Sequence, residues 1–407
     1  MQSWNERLRA TMPHGSSTTS KAPHLCPEEP EVIARGKGCR VWDEKGREFI
    51  DYRNGLGPVS LGYCYPAVME AIAKQMENGI VFGHPTALEC EVSELLCSVI
   101  PSAEQARFLK TGGEACSAAI RIARAYTGHD HIIQIGYNGW LNSLASGAKV
   151  GPRETVQRIP GVPAAISALY HAAGWNDQQT IAAYFDEYAG NVAAVIVSAD
   201  YQRFDEGRAF YPFLREITRK NNALLIYDEI VTGFRVALGG VQEYFGVNPD
   251  LCVFAKAIAN GMPLSTYAGS REVMRTCERP GFSISSTYGG ETLSLAACRA
   301  TIETFQKYDV VGHIRTHGDY LWGKVRELFR SEGVPVSLSG ISACPTFVAD
   351  AGAPEGILSA FFRAAYRHGV SLYNVSYVNF SHQYTDCDDT LARLAEAVGD
   401  LHREGLI

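Results

Sequence analysis

Two segments of this chain are almost continuously apolar over the length of a strand: AAVIVSA, from Ala193, and ALLIYDE, from Ala223. The segment between them, about Phe213 to Lys220, carries a helical pattern. A strand that is apolar on both faces must be covered on both, and a helical crossover between two such strands makes them neighbours in a parallel sheet. The expected class is therefore α/β, with a mainly parallel sheet between helices.

The flanks read differently. GCRVWDEKGREFIDY, from Gly38 to Tyr52, places β-prone runs around Glu44-Lys45-Gly46 and reads as a hairpin. Helical patterns follow at about Ala67–Asn78 and Thr86–Val99, then a short strand from Ala106. After about Lys307 come a long amphipathic helix, short strands and a last helix near Asp389–Arg403. The expected organisation is an N-terminal segment, 1–52, packing with a smaller α+β domain, 308–407, and a large central domain, 53–307.

With 46% hydrophobic and 20% charged residues, the 407-residue chain has the composition of a globular enzyme. Its net charge of −7 offers no general attraction for nucleic acid or anionic membranes, and neither is expected as a partner. The eleven cysteines are scattered without zinc-site or disulfide-scaffold spacing, and the start, MQSWNERLRATMPHG, lacks a signal-peptide core. No stretch approaches a bilayer span, so a cytoplasmic location is expected. His129 and His131 have no acidic or cysteine partner at ligand spacing, so they read as strand-edge residues and no metal is expected.

Three motifs carry chemistry. LLIYDEIVTGFR, from Leu224, delivers Asp228 and Glu229 at the carboxyl end of a buried strand, where open α/β sheets gather ligands. Acids there also cap the following turn, and either use is open from the sequence. PDLCVFAKAIANGMPL, from Pro249, sets Lys256 after a second strand-like run; burial would favour its neutral, nucleophilic amine, whereas a lysine snorkelling to water is the plain alternative. LKTGGEACSAAIRIARAYTG, from Leu109, reads as a strand, a turn at Thr111-Gly112-Gly113 and an Ala-rich helix starting at Glu114. Backbone amides of such a turn can hold a phosphate.

With these motifs in place, the chain resembles the class III, fold-type I pyridoxal-phosphate (PLP) aminotransferases, and within them the glutamate-1-semialdehyde 2,1-aminomutases. The resemblance runs from about Pro13 to the C-terminal helix and includes GPVSLGYCYPAV from Gly57, FGHPTALECEVSELL from Phe82 and VALGGVQEYFGVNPDL from Val236. It implies a PLP-dependent enzyme in which Lys256 carries the cofactor and shuttles protons, and Asp228 keeps the ring nitrogen protonated. It further implies Ile230 and Tyr137 on the two ring faces, Gly112 and Gly113 at the phosphate, and a homodimer in which Thr287 reaches the phosphate of the neighbouring subunit.

Where the family handles substrate the chain departs. The Glu-Pro after the AAVIV strand is replaced by SADYQRFDEG from Ser198, leaving Gln202 and Arg203 as candidates for the ring hydroxyl. The aminomutase arginine aligns with Lys21, in Thr18-Thr19-Ser20-Lys21, and the family's tryptophan aligns with Leu56. Lysine lacks the bidentate fork of arginine. A pocket lined by Ser17, Thr18, Thr19, Ser20 and Tyr201 suits a polyhydroxylated or otherwise unusual carbonyl compound. The expected reaction is transamination between a small-molecule amino donor and an aldehyde or ketone acceptor. The alternatives are the 2,1-aminomutase reaction, a PLP racemase or epimerase, and a non-catalytic relative.

Overall fold

The computed structural model describes residues 2–22, 26–141 and 159–407. The chain forms two compact units, one made of residues 1–65 and 312–407 and the other of residues 66–311.

The larger unit is built on a seven-stranded sheet. Numbering strands along the whole chain, β1 is Ile33–Lys37, β2 Arg40–Asp43, β3 Glu48–Asp51, β4 Gln105–Leu109, β5 His131–Ile135, β6 Tyr170–Ala173 and β7 Val192–Ser198. There follow β8 Leu224–Asp228, β9 Leu251–Phe254, β10 Ser265–Gly269, β11 Val336–Ser339, β12 Thr346–Ala349 and β13 Val370–Ser371. The large sheet has the order β4-β10-β9-β8-β7-β5-β6, and only β10 runs antiparallel to its neighbours.

The two apolar runs form β7 and β8, paired in parallel from Ala194↔Leu224 to Ser198↔Asp228. Their alternate residues supply two packing faces. Ala194, Ile196, Leu224 and Ile226 join the Ala-rich helix Gly112–Thr127 in one core cluster. On β8, Tyr227 meets Tyr211 of the helix Gly207–Lys220 edge to face, with ring centroids 4.9 Å apart. That helix starts well before Phe213, because it passes through Pro212: the stripe Phe210, Tyr211 and Leu214 is buried and holds the turn that proline alone would weaken.

In the other unit the hairpin is present as β2 and β3, with Asp43 Oδ1 accepting from the backbone N–H groups of Lys45 and Arg47 at 3.0 and 2.8 Å. β1, β2, β3 and β13 form one sheet, with C-terminal β13 parallel to β3, so both ends of the chain build this unit. The unit runs on past Tyr52, which bonds through its backbone to Ser371 and Tyr377 and through its hydroxyl to Thr390 at 2.8 Å. The last helix, Tyr384–Arg403, starts one turn earlier than its apolar stripe suggests because Gln383 and Asp386 form a capping box. No helix among the described residues is long and apolar enough to cross a membrane.

Candidate active site

β4, β5, β7, β8 and β9 all run in one direction, so the segments that follow them meet at one edge of the sheet. Thr111 follows β4, Tyr137 and Asn138 follow β5, Asp228 ends β8, and Lys256 comes two residues after β9.

Asp228 is 6% exposed. Burial pushes its carboxyl up to about 6, opposed by the Ile230 backbone N–H, the Asn138 amide, the charge of Lys256 and the Cys116 thiol. The adjacent Glu229 has a separate task. It is wholly buried, pushed up to about 7, and accepts from Thr232 Oγ1 and from the backbone N–H groups of Val241 and Gln242, at 2.9 and 3.2 Å for the last two. The two acids of the DE pair thus divide between the sheet edge and the start of the next helix.

Lys256 opens a short 3-10 turn, Lys256–Ala259, with a left-handed φ of 48°. Side chains with a Cβ avoid that region, and strain of this kind gathers at functional sites. Its positive charge is felt at Asp228.

Thr111 is the N-cap of the helix, which begins at Gly112 and not at Glu114. The reason is a capping box: Thr111 Oγ1 accepts from Glu114 N at 3.4 Å, and Glu114 Oε2 accepts from Thr111 N at 2.8 Å. The Thr111 hydroxyl also donates to Glu114 Oε2, at 2.9 Å. The box draws both glycines into the first helical turn, whose N–H groups have no acceptor within the helix. A Cβ on Gly112 would lie 2.4 Å from Ile230 Cδ1, so this turn and the residue two after Asp228 are in contact. Ser265, at the start of β10, fixes the turn from below by donating to the Thr111 carbonyl at 2.8 Å.

Tyr137 is 62% exposed, and partial burial together with the Asp228 charge raises its phenol. Asp228, Lys256, Tyr137, Ile230 and the two glycines are thus carried by segments that meet at one edge of the sheet. Their chemistry suits PLP: first-turn amides for a phosphate, a buried carboxylate for a ring N–H, an aliphatic and an aromatic side chain, and an amine.

Thr287 lies in an exposed turn, and no side-chain hydrogen bond to it occurs among the described residues. Arg203 is spent on its own turn, with Nε 3.2 Å from Asp200 Oδ2 and the guanidinium also near Glu206 and the Trp175 carbonyl. Gln202 is exposed, its backbone N–H held by Asp200 Oδ1 at 2.8 Å.

In the smaller unit Thr18 and Lys21 are exposed, Thr18 preceding the short turn Thr19–Lys21. Leu56 sits in a run of positive φ: Asn54 47°, Gly55 60°, Leu56 74° and Gly57 102°. The Asn54 side chain holds this run, donating to Tyr377 O and accepting from Asn379 Nδ2, both at 2.7 Å. An apolar, non-glycine residue is seldom found there, and the strain marks Leu56 independently of its alignment.

Sequence reasoning missed Asn138 and Cys116, the two side chains among the described residues that hydrogen-bond Asp228. Asn138 stood in view next to Tyr137 in GYNGW, and Cys116 was the one thiol in an otherwise aliphatic buried stripe.

The aminotransferase class-III family matches residues 26–399. A glutamate-1-semialdehyde 2,1-aminomutase from Acetivibrio thermocellus is 32% identical, over 96% of this chain and 95% of that protein. Another from Methanothrix thermoacetophila is 36% identical, over 83% of this chain and 79% of that one. Among solved structures, an omega-transaminase from Sphaerobacter thermophilus superposes with a TM-score of 0.88 at 26% identity, over 98% of this chain and 97% of that one.

Proposed function

This chain belongs to the class III aminotransferase family, and from that premise we propose that it moves an amino group from a small-molecule donor to the carbonyl of a separate aldehyde or ketone. It is a PLP-dependent enzyme of the aminotransferase or aminomutase type, with the fold-type I architecture. PLP supplies an aldehyde that condenses with amines and a protonated ring that withdraws electrons from the substrate carbon.

Around it the chain's residues have distinct work. Lys256 holds the cofactor through Nζ and carries the proton to and from the substrate carbon in both halves of the reaction. Asp228 keeps the ring nitrogen protonated, a task that a buried anion performs and a neutral amide does not. Ile230 and Tyr137 flank the ring, and Gly112 and Gly113 donate their N–H groups to the phosphate. The capping box takes the Thr111 hydroxyl, so backbone amides carry more of the phosphate binding in each subunit. Thr287 of the partner subunit completes it in a homodimer; its exposed turn is what such a reach requires.

The observation that favours two substrates over an internal amino shift is Lys21. An aminomutase must keep its substrate while the amine changes position, and profits from a firm grip on a carboxylate. A flexible, exposed lysine gives a single point charge where arginine would give two parallel hydrogen bonds. The resemblance to aminomutases over nearly the whole chain supports the second reading. Nitrogen-15 in the donor decides between them: it appears in the acceptor's product if the donor and acceptor are separate. Conversion of one amino compound to its positional isomer, with no donor present and no keto product released, would make the enzyme an aminomutase.

A further inference from the structure

Three donors from three elements converge on the Asp228 carboxylate. The Ile230 backbone N–H donates to Oδ1 at 3.1 Å, the Asn138 amide donates to Oδ2 at 3.2 Å, and Cys116 Sγ lies 3.7 Å from Oδ2. An ionised carboxylate has about four acceptor positions. Among the described residues two donors fill Oδ2 and one occupies Oδ1, which leaves one position, on Oδ1.

Cys116 is set apart by its surroundings. The buried stripe of its helix is otherwise Ala115, Ala118, Ala119, Ile120, Ile122 and Ala123, and Cys116 is itself wholly buried. A buried cysteine commonly serves as a small apolar residue, and packing alone would explain it if its sulfur met only carbon. Here the sulfur meets a carboxylate. Burial and that negative charge raise the thiol well above its ordinary value, so it stays protonated and can act toward Asp228 only as a donor.

The geometry points to Cys116 as a positioning residue for Asp228: its thiol, with the Asn138 amide, pins Oδ2 and leaves the open position on Oδ1 for the ring nitrogen. This rests on the reading of Asp228 as the ring-nitrogen partner. Donation to the charged form also favours that form, so Cys116 helps keep a buried carboxylate ionised at neutral pH.

The test uses the full chain with Cys116→Ser, Cys116→Val and Cys116→Ala. Serine keeps a donor, and the other two remove it while bracketing the volume. In the cofactor-free protein, the infrared band of the protonated Asp228 carboxyl, assigned by subtraction of Asp228→Asn, is followed against pH. Valine and alanine should move its midpoint upward by about one pH unit, whereas serine should leave it near the wild-type value. The dissociation constant for PLP at pH 5, where a one-unit shift lowers the ionised fraction of Asp228 about tenfold, should rise about tenfold in the first two and little in the third. If alanine does not fold, the valine and serine pair still decides. Equal midpoints and equal PLP affinities for serine and valine would overturn the inference, reducing Cys116 to packing. That outcome leaves Asp228 in place, whereas normal turnover in Asp228→Asn would remove the reading beneath it.

Discussion

Gly112 and Ile230 are packed so closely that an added Cβ on the glycine would stand 2.4 Å from Ile230 Cδ1 and 3.0 Å from its Cγ1. The turn assigned to the phosphate and the side chain assigned to one ring face are thus a single contact. Gly112→Ala must displace Ile230 or the helix start. Overpacking of this kind costs about 1–3 kcal/mol, so PLP affinity should fall roughly tenfold to hundredfold, read by absorbance titration of the cofactor-free protein. Adding Ile230→Ala should restore part of the loss. Unchanged binding in Gly112→Ala would separate the two residues.

Asp228→Asn should keep bound, coloured cofactor and lose most turnover, because an amide supplies no charge for the ring nitrogen. The same variant reports on the buried charge. The Asp228 carboxyl is raised from 3.8 to about 6, so the stability it contributes is present below its ordinary value and is lost as pH rises through 6. Relative to wild type, the cofactor-free variant should therefore gain about 3 kcal/mol between pH 3.5 and pH 7, whatever the constant offset of the substitution. Urea titrations at fixed pH measure it, and a flat difference would refute the raised carboxyl.

His382 has the opposite sign. It is wholly buried, its Nδ1 accepts from Asn379 N at 3.0 Å, and burial lowers it from 6.5 to about 3. A depressed histidine contributes stability that is present above 6.5 and is lost as pH falls toward 3. Wild type should lose about 1.4 kcal/mol per pH unit through this residue below 6.5, a loss that His382→Asn removes in urea titrations between pH 7 and 5. Equal slopes in the two proteins would show that His382 titrates normally.

Thr287 supplies the test for a shared site. If it reaches across to a second subunit, mixing Lys256→Ala chains with chains carrying Thr287→Ala should give more activity than either alone, since one hybrid site combines the intact Lys256 and Gly112 of one chain with the intact Thr287 of the other. A fully active monomer at assay concentration would end the dimer proposal.

Those residues were legible to very different degrees. β7 and β8 could be read from apolarity alone, because strands covered on both faces have no polar side. Asp228 and Lys256 stood out as charges at the ends of such runs. The helix start at Gly112 was hidden by its glycines, which look like a turn until the Thr111–Glu114 capping box is seen. The division of labour between Asp228 and Glu229 was unreadable, since it depends on which acid faces Val241 and Gln242, twelve and thirteen residues on. Asn138 and Cys116 reach Asp228 from sequence separations of 90 and 112 residues, which no local pattern encodes.

Lys256 is the centre of the account, and borohydride tests it directly. Reduction of the PLP-loaded protein followed by proteolysis and mass spectrometry should place a pyridoxyl label on the peptide containing Lys256, and Lys256→Ala should take no label. A label on any other lysine of the wild-type protein would contradict the assignment.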